Sequence, residues 1–150
     1  MGATKLALKS GFVGQHTAGR YPSVTGQVGA AELLFKKAST ACLSARLLLD
    51  AGDADGALNR AYYAMFDAAR ASLIGLPGLG SLQEMTRTHS GLISAFELHL
   101  VKSGLVSREL GRQLNRAHEA RLIADYSDES MTPEDARVFV DVAVAFVEEL

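Results

Sequence analysis

One cysteine, Cys42, is the whole thiol content of this 150-residue chain. A lone thiol excludes a disulfide scaffold and a cysteine-built zinc site. It suits a reducing compartment, so the expected location is cytoplasmic. No apolar run reaches the roughly 18 residues a membrane span requires, so no integral helical membrane protein and no membrane partner is expected. Charge of one sign is not in excess. Fifteen basic and 17 acidic residues give a formal net charge of −2, and the pI is near 6.1. That balance argues against bulk electrostatic capture of nucleic acid but leaves room for a local basic patch. With 48% hydrophobic and 21% charged residues, the chain has the composition of one globular domain with a sizeable core.

Several chemical signatures are missing as well. Neither His-x3-His nor Cys-x2-Cys spacing occurs, so no zinc site is expected. Gly75 to Gly80 is glycine-rich but lacks the lysine of a nucleotide-binding loop. No G-x-S-x-G elbow appears, and Asp53-Ala-Asp55-Gly56 lacks the remaining ligands of a calcium loop. No cofactor and no metal are expected on these grounds.

The first 29 residues form a separate compositional segment. They hold six of the 14 glycines, three basic residues (Lys5, Lys9, Arg20) and no acid, which leaves 12 basic and 17 acidic residues, a net of −5, in the remainder. No apolar core of signal-peptide length is present, so secretion is not expected. The segment reads as a flexible, Gly-rich N-terminal arm over 1–29, ahead of a single folded unit over 30–150.

From residue 30 the pattern is helical. Leu34, Ala38, Ala41, Ala45 and Leu48 recur at steps of three and four, and Gly52 follows as a stop. Asp53 or Asp55 offers an N-cap for a second helix through about Ile74, with Leu58, Ala61, Tyr62, Met65, Ala69 and Leu73 as its apolar stripe. A third helix covers roughly 90–102, with Leu92, Phe96 and Leu100 inward and Gly104 as its stop. Ser107 caps a fourth that runs to about Tyr126. Thr132-Pro133-Glu134-Asp135 opens a fifth, whose buried face is Phe139, Val142, Ala143, Phe146 and Leu150. No segment alternates with period two for long enough to be a strand, so the expected fold is an all-α, up-and-down bundle of four to five helices.

The informative residues are polar ones on apolar stripes. Measured at 100° per residue from Leu110, Leu114 falls near 40°, Ala117 near 340°, Arg121 near 20° and Asp125 near 60°, all roughly on one inward line. A charge turned towards a core must be paired, and these two stand at i and i+4, close enough to pair. They read either as a functional pair or as an ion pair that fixes register where the line reaches solvent. On the second helix, Asn59, Phe66, Arg70 and Tyr63 run along one flank at roughly 80° to 140° from Leu58, with Arg60 further out near 200°. That seam reads as a cleft wall for phosphate and base, or as a helix boundary whose amphipathic side chains keep their tips wet. His89 stands in Thr88-His89-Ser90-Gly91 at the start of the third helix, a position suited to capping, to anion binding or to acid/base work. His99 and His118 fall inside helices, and His16 lies in the arm.

Residues 31 to about 150 resemble the HEPN-domain proteins, specifically a compact bacterial and archaeal branch. The segments that carry the resemblance are Asn59-Arg-Ala-Tyr-Tyr-Ala-Met-Phe-Asp-Ala-Ala-Arg70, Thr88-His-Ser-Gly91, Arg121-Leu-Ile-Ala-Asp125-Tyr126 and Thr132-Pro-Glu-Asp-Ala136. The resemblance implies a helical bundle, usually a homodimer, in many cases a toxin paired with a small nucleotidyltransferase antitoxin. It also implies metal-independent RNA cleavage in active members. Their Arg-x4–6-His motif lies in a cleft, where arginine stabilises phosphate and histidine supports attack by a 2′-hydroxyl. Here the corresponding place reads Arg121-x3-Asp125-Tyr126, so the arginine carries over and the histidine does not. The letters Arg112-x5-His118 fit the spacing but stand upstream of the motif's place in this branch.

Arg121, Asp125 and His89 are therefore the candidate catalytic residues, and Asn59, Arg60, Tyr63 and Tyr126 the candidate ligand-binding residues. Two functions compete. One is a toxin-like bundle that binds and cleaves RNA. The other is a non-catalytic module that binds a nucleotide or a nucleotidyltransferase, with the Arg–Asp pair fixing its shape.

Overall fold

The computed structural model describes residues 24–79 and 82–150. The part of the expected arm over 1–23, including His16, lies outside them. The elements are α1 (Val24–Asp50), α2 (Ala54–Ile74), a short α3 (Leu82–Met85), α4 (His89–Phe96), α5 (Arg108–Tyr126) and α6 (Pro133–Glu149). Among the described residues there is no strand, and the architecture is an all-α bundle. No helix among them is long and apolar enough to cross a membrane. Helix α1 begins at Val24 and so takes in residues 24–29 of the segment read as arm.

Local chemistry sets most boundaries. Gly52 adopts φ +86° after α1, and the amides of Gly52 and Asp53 bond back to the carbonyls of Leu49 (3.1 Å) and Leu48 (2.9 Å). This is the paired closure that only a residue free of a Cβ makes cheaply. Asp53 then caps α2, its Oδ1 accepting from the Gly56 amide at 2.8 Å. Thr88, Ser107 and Thr132 cap α4, α5 and α6 through side-chain oxygens that accept from Gly91, Leu110 and Asp135.

Helix α2 is the central rod and packs against α1, α4, α5 and α6. Its alanines at 57, 61, 64, 68, 69 and 71 are fully buried and let neighbouring backbones approach closely. Tyr62, Leu58, Met65 and Leu73 fill the core with Phe96 of α4, Leu114 of α5 and Phe146 of α6. The Phe96 and Phe146 rings stack at 5.9 Å. Each such side chain contributes about 1.5–3 kcal/mol on burial.

Helix α4 continues without a break into one π turn, Glu97–Val101, where the Lys102 amide reaches the Glu97 carbonyl at 2.9 Å. The turn keeps Leu100 and Val101 buried, and Gly104, with φ +80°, ends it as expected. On α5 the inward line behaves as phased as far as Ala117. Leu110, Leu114 and Ala117 are buried, and the line then passes into a polar cluster.

Candidate functional site

The cluster forms where α2, the first turn of α4 and the second half of α5 meet. Helix α2 supplies Tyr62, Tyr63 and Phe66. Helix α5 supplies His118, Arg121 and Asp125, and His89 enters from the start of α4. His89 is held there by the Thr88 cap and by Gly91. A Cβ on Gly91 would collide with the Met85 carbonyl and come 2.6 Å from Thr88 Oγ1, so only glycine lets the preceding turn fold over this helix start.

Three contacts run in series. The Tyr62 hydroxyl lies 2.6 Å from His89 Nδ1. His89 Nε2 lies 3.3 Å from Arg121 Nη1. Arg121 Nη2 lies 3.5 Å from Asp125 Oδ2. A guanidinium only donates, so Nε2 accepts, and the neutral imidazole carries its proton on Nδ1, which donates to the Tyr62 oxygen. Charging the imidazole would set N–H against N–H. In agreement, desolvation first, then Arg121 and His118, hold the His89 pKa below the usual histidine value. Burial drives the Tyr62 phenol well above the ordinary tyrosine value, against an opposing pull from Arg121.

Aromatic rings surround this series of contacts. The Arg121 guanidinium carbon stands 5.4 Å from the Tyr62 ring centre and 5.1 Å from that of Tyr63, within cation–π range. His118 stacks on His89 at 5.5 Å with a 20° interplanar angle, and Phe66 meets His89 edge-on at 5.1 Å. Two buried polar atoms in this cluster have no hydrogen-bond partner: Arg121 Nε and His118 Nδ1. Folded proteins rarely leave such atoms unpaired, and the Arg121 Nε–H is a donor that an acceptor-rich ligand would satisfy.

Of the candidate residues, Arg121, Asp125, His89 and Tyr63 come together. Arg121 is turned inward, with 17% of its side chain exposed, whereas Asp125, at 43%, sits on the rim because the line has reached the surface one turn later. Asn59, half-buried, and Tyr126, 86% exposed, form no hydrogen bond, ion pair or ring contact with the cluster. Arg60 faces another group. It joins Lys37 and Arg70 around Asp67, whose carboxyl is raised by burial and pulled back by the three cations. Arg112 pairs with Glu109 at 3.4 Å on the exposed face of α5, so the spacing Arg112-x5-His118 brings no arginine to this histidine.

Two members were missed from sequence. Tyr62 reads as an ordinary core residue, although a buried phenol always needs a partner for its hydroxyl. His118 reads as one more helical residue, yet phased from Leu110 it falls at roughly 80°, beside Asp125. Among the described residues, no three His, Cys, Asp or Glu side chains gather as metal ligands.

Comparison with known proteins agrees with the fold. The family model described as the HEPN domain matches residues 31–150. A UPF0332 protein of Gloeobacter violaceus is 34% identical over 117 residues, covering 77% of this chain and 88% of that protein. A UPF0332 protein of Thermotoga maritima is 37% identical over 95 residues, covering 63% and 67%. A Methanocaldococcus jannaschii protein named as a candidate toxin is 31% identical over 94 residues, covering 63% and 66%.

Proposed function

The chain belongs to the HEPN family, and we propose that it is a toxin-like member that binds RNA at Arg121 and cleaves it with His89 as the base. The observation that carries this reading is the unpartnered, buried Nε of Arg121, on a guanidinium that also faces His89 Nε2. A phosphate has the planar acceptor geometry a guanidinium prefers. When it engages Arg121, the Nε2 lone pair is released towards the ribose.

The step is a transesterification. The 2′-oxygen forms a bond to phosphorus as its proton passes to His89 Nε2. The bond from phosphorus to the 5′-oxygen breaks, that oxygen takes a proton from water, and the hydroxide left behind recovers the proton from His89. Products are a 2′,3′-cyclic phosphate and a 5′-hydroxyl. Arg121 stabilises charge on the phosphoryl oxygens, Tyr62 holds the tautomer, Tyr63 offers a face to a base, and Asp125 steadies the guanidinium from the rim. Asp125 is already engaged by Arg121, which leaves His89 as the proton acceptor.

The toxin reading draws on the name of the M. jannaschii relative. A homodimer and a nucleotidyltransferase antitoxin accompany it. Leu122, Ile123 and Tyr126, exposed on the outer face of α5 near its end, provide an apolar face for the second copy.

Labelled RNA incubated with pure protein in a chelator tests the reading. Cleavage should continue without metal, and Arg121→Ala should slow it by about 100-fold or more. Intact RNA under all conditions would contradict it. The Arg121–Asp125 contact favours a second reading, in which the pair only shapes a non-catalytic module for a nucleotide or a nucleotidyltransferase. Arg121→Ala would then lower the melting temperature and weaken the partner complex, with no hydrolysis at any stage.

A further inference from the structure

A polar concavity lies away from the His89 cluster, between the π turn and the first half of α5. It encloses about 490 Å³ and is lined by Lys102, Arg108, Arg112, Asn115 and Glu97, with Gly111 at its floor. We propose that this groove is a binding subsite for the sugar–phosphate backbone of single-stranded RNA, and the inference rests on the RNA reading given above.

Charge is the first argument. The folded unit is acidic as a whole, yet three exposed cations line this one groove against a single carboxylate. Local basic density of this kind is how a protein without net positive charge attracts a polyanion. Arg108 opens α5, so the positive end of that helix adds to the same field.

Shape is the second. Gly111 is buried, and a Cβ there would come within 3.0 Å of Glu97 Oε2 and 3.1 Å of Val101 Cγ2. The missing side chain lets α5 lie close to the π turn and sets the groove's depth. The π turn in turn brings Glu97 and Lys102 to the same concavity.

The mixed lining discriminates among anions. Lys102, Arg108 and Arg112 suit phosphate oxygens, while Glu97 accepts from an exocyclic base amine. Inorganic phosphate would use only the cations, whereas a nucleotide unit uses both. Arg112 is half-engaged by Glu109 at 3.4 Å, an exposed pair that a phosphate displaces readily. Arg112 and Arg121 lie roughly 13 Å apart along α5 and on opposite faces, so the groove engages a strand independently of the Arg121 site.

The test is fluorescence anisotropy of a labelled, 2′-O-methylated single strand, which cannot be cleaved, titrated at several salt concentrations. Wild type is compared with the Arg108→Ala/Arg112→Ala double variant and with Glu97→Gln, and thermal melts confirm that each folds. Loss of two phosphate contacts should weaken binding about ten-fold and lower the salt slope by about 1.4 (~0.7 per contact on a single strand). Glu97→Gln should leave the slope unchanged and alter affinity only modestly. An unchanged affinity and slope in the double variant would overturn the groove while leaving the Arg121 reading intact. Absence of any wild-type binding would overturn both.

Discussion

The Tyr62 hydroxyl and the His89 Nδ1 stand 2.6 Å apart, and the direction of their hydrogen bond is dictated by a third residue. Arg121 can only donate, so its approach to Nε2 fixes the imidazole proton on the side of the phenol. A tyrosine placed by its apolar ring in the core thus uses its one polar atom to orient the histidine at the mouth of the site.

Tyr62→Phe keeps the ring and removes that atom. The part-buried Nδ1–H loses its acceptor, which costs about 1 kcal/mol in stability. Cleavage should fall by about ten-fold or more, because a free imidazole samples both tautomers. Chemical denaturation and single-turnover rates measure the two effects separately.

The depressed His89 pKa gives a signed pH dependence. Folding favours the neutral imidazole, so His89 contributes stability above its unfolded value near 6.5, and that contribution is lost as pH falls through the lower folded value. Urea midpoints measured from pH 7.5 down to 5 should fall more steeply for wild type than for His89→Gln. Cleavage by the proposed mechanism should follow the same sense, fully developed at neutral pH and declining on acidification as the base becomes protonated. A rate that rises on acidification would contradict the assignment.

Arg121→Met separates function from architecture. Asp125 is on the rim and methionine keeps apolar contact with the Tyr62 and Tyr63 rings, while His89 Nε2 loses its donor, so a loss of no more than about 1–2 kcal/mol is expected. RNA binding and cleavage should disappear. A melting temperature lowered by many degrees with RNA binding retained would assign the pair to architecture alone.

Gly91→Ala tests how His89 is held. The new methyl meets the Met85 backbone carbonyl, which cannot swing aside as a side chain would. A loss of about 1–3 kcal/mol is expected, together with a fall in cleavage beyond what the fraction folded explains.

The elements were largely legible because their signals are local. Asp53, Ser107 and Thr132 announce helix starts, Gly52 and Gly104 announce stops, and the apolar stripes name the buried faces. Arg121 was legible for a related reason: helical phase alone turns it inward. Phase does not report where a bundle ends, so Asp125, predicted inward, stands at the rim. It also does not report which neighbour a side chain meets. Arg60 turned to Asp67, and Tyr62 and His118 found their roles through residues on other helices. The π turn has no signal at all in its letters Glu-Leu-His-Leu-Val.

The central claim is that Arg121 waits for a phosphate, and its own Nε–H reports that most directly. With 15N-labelled arginine, the buried Nε–H resonance is followed while a non-cleavable 2′-deoxy dinucleotide is added. The account predicts a saturable downfield shift of this one signal, accompanied by movement of the His89 ring resonances. A signal that stays fixed at saturating ligand, while other residues shift, would contradict it.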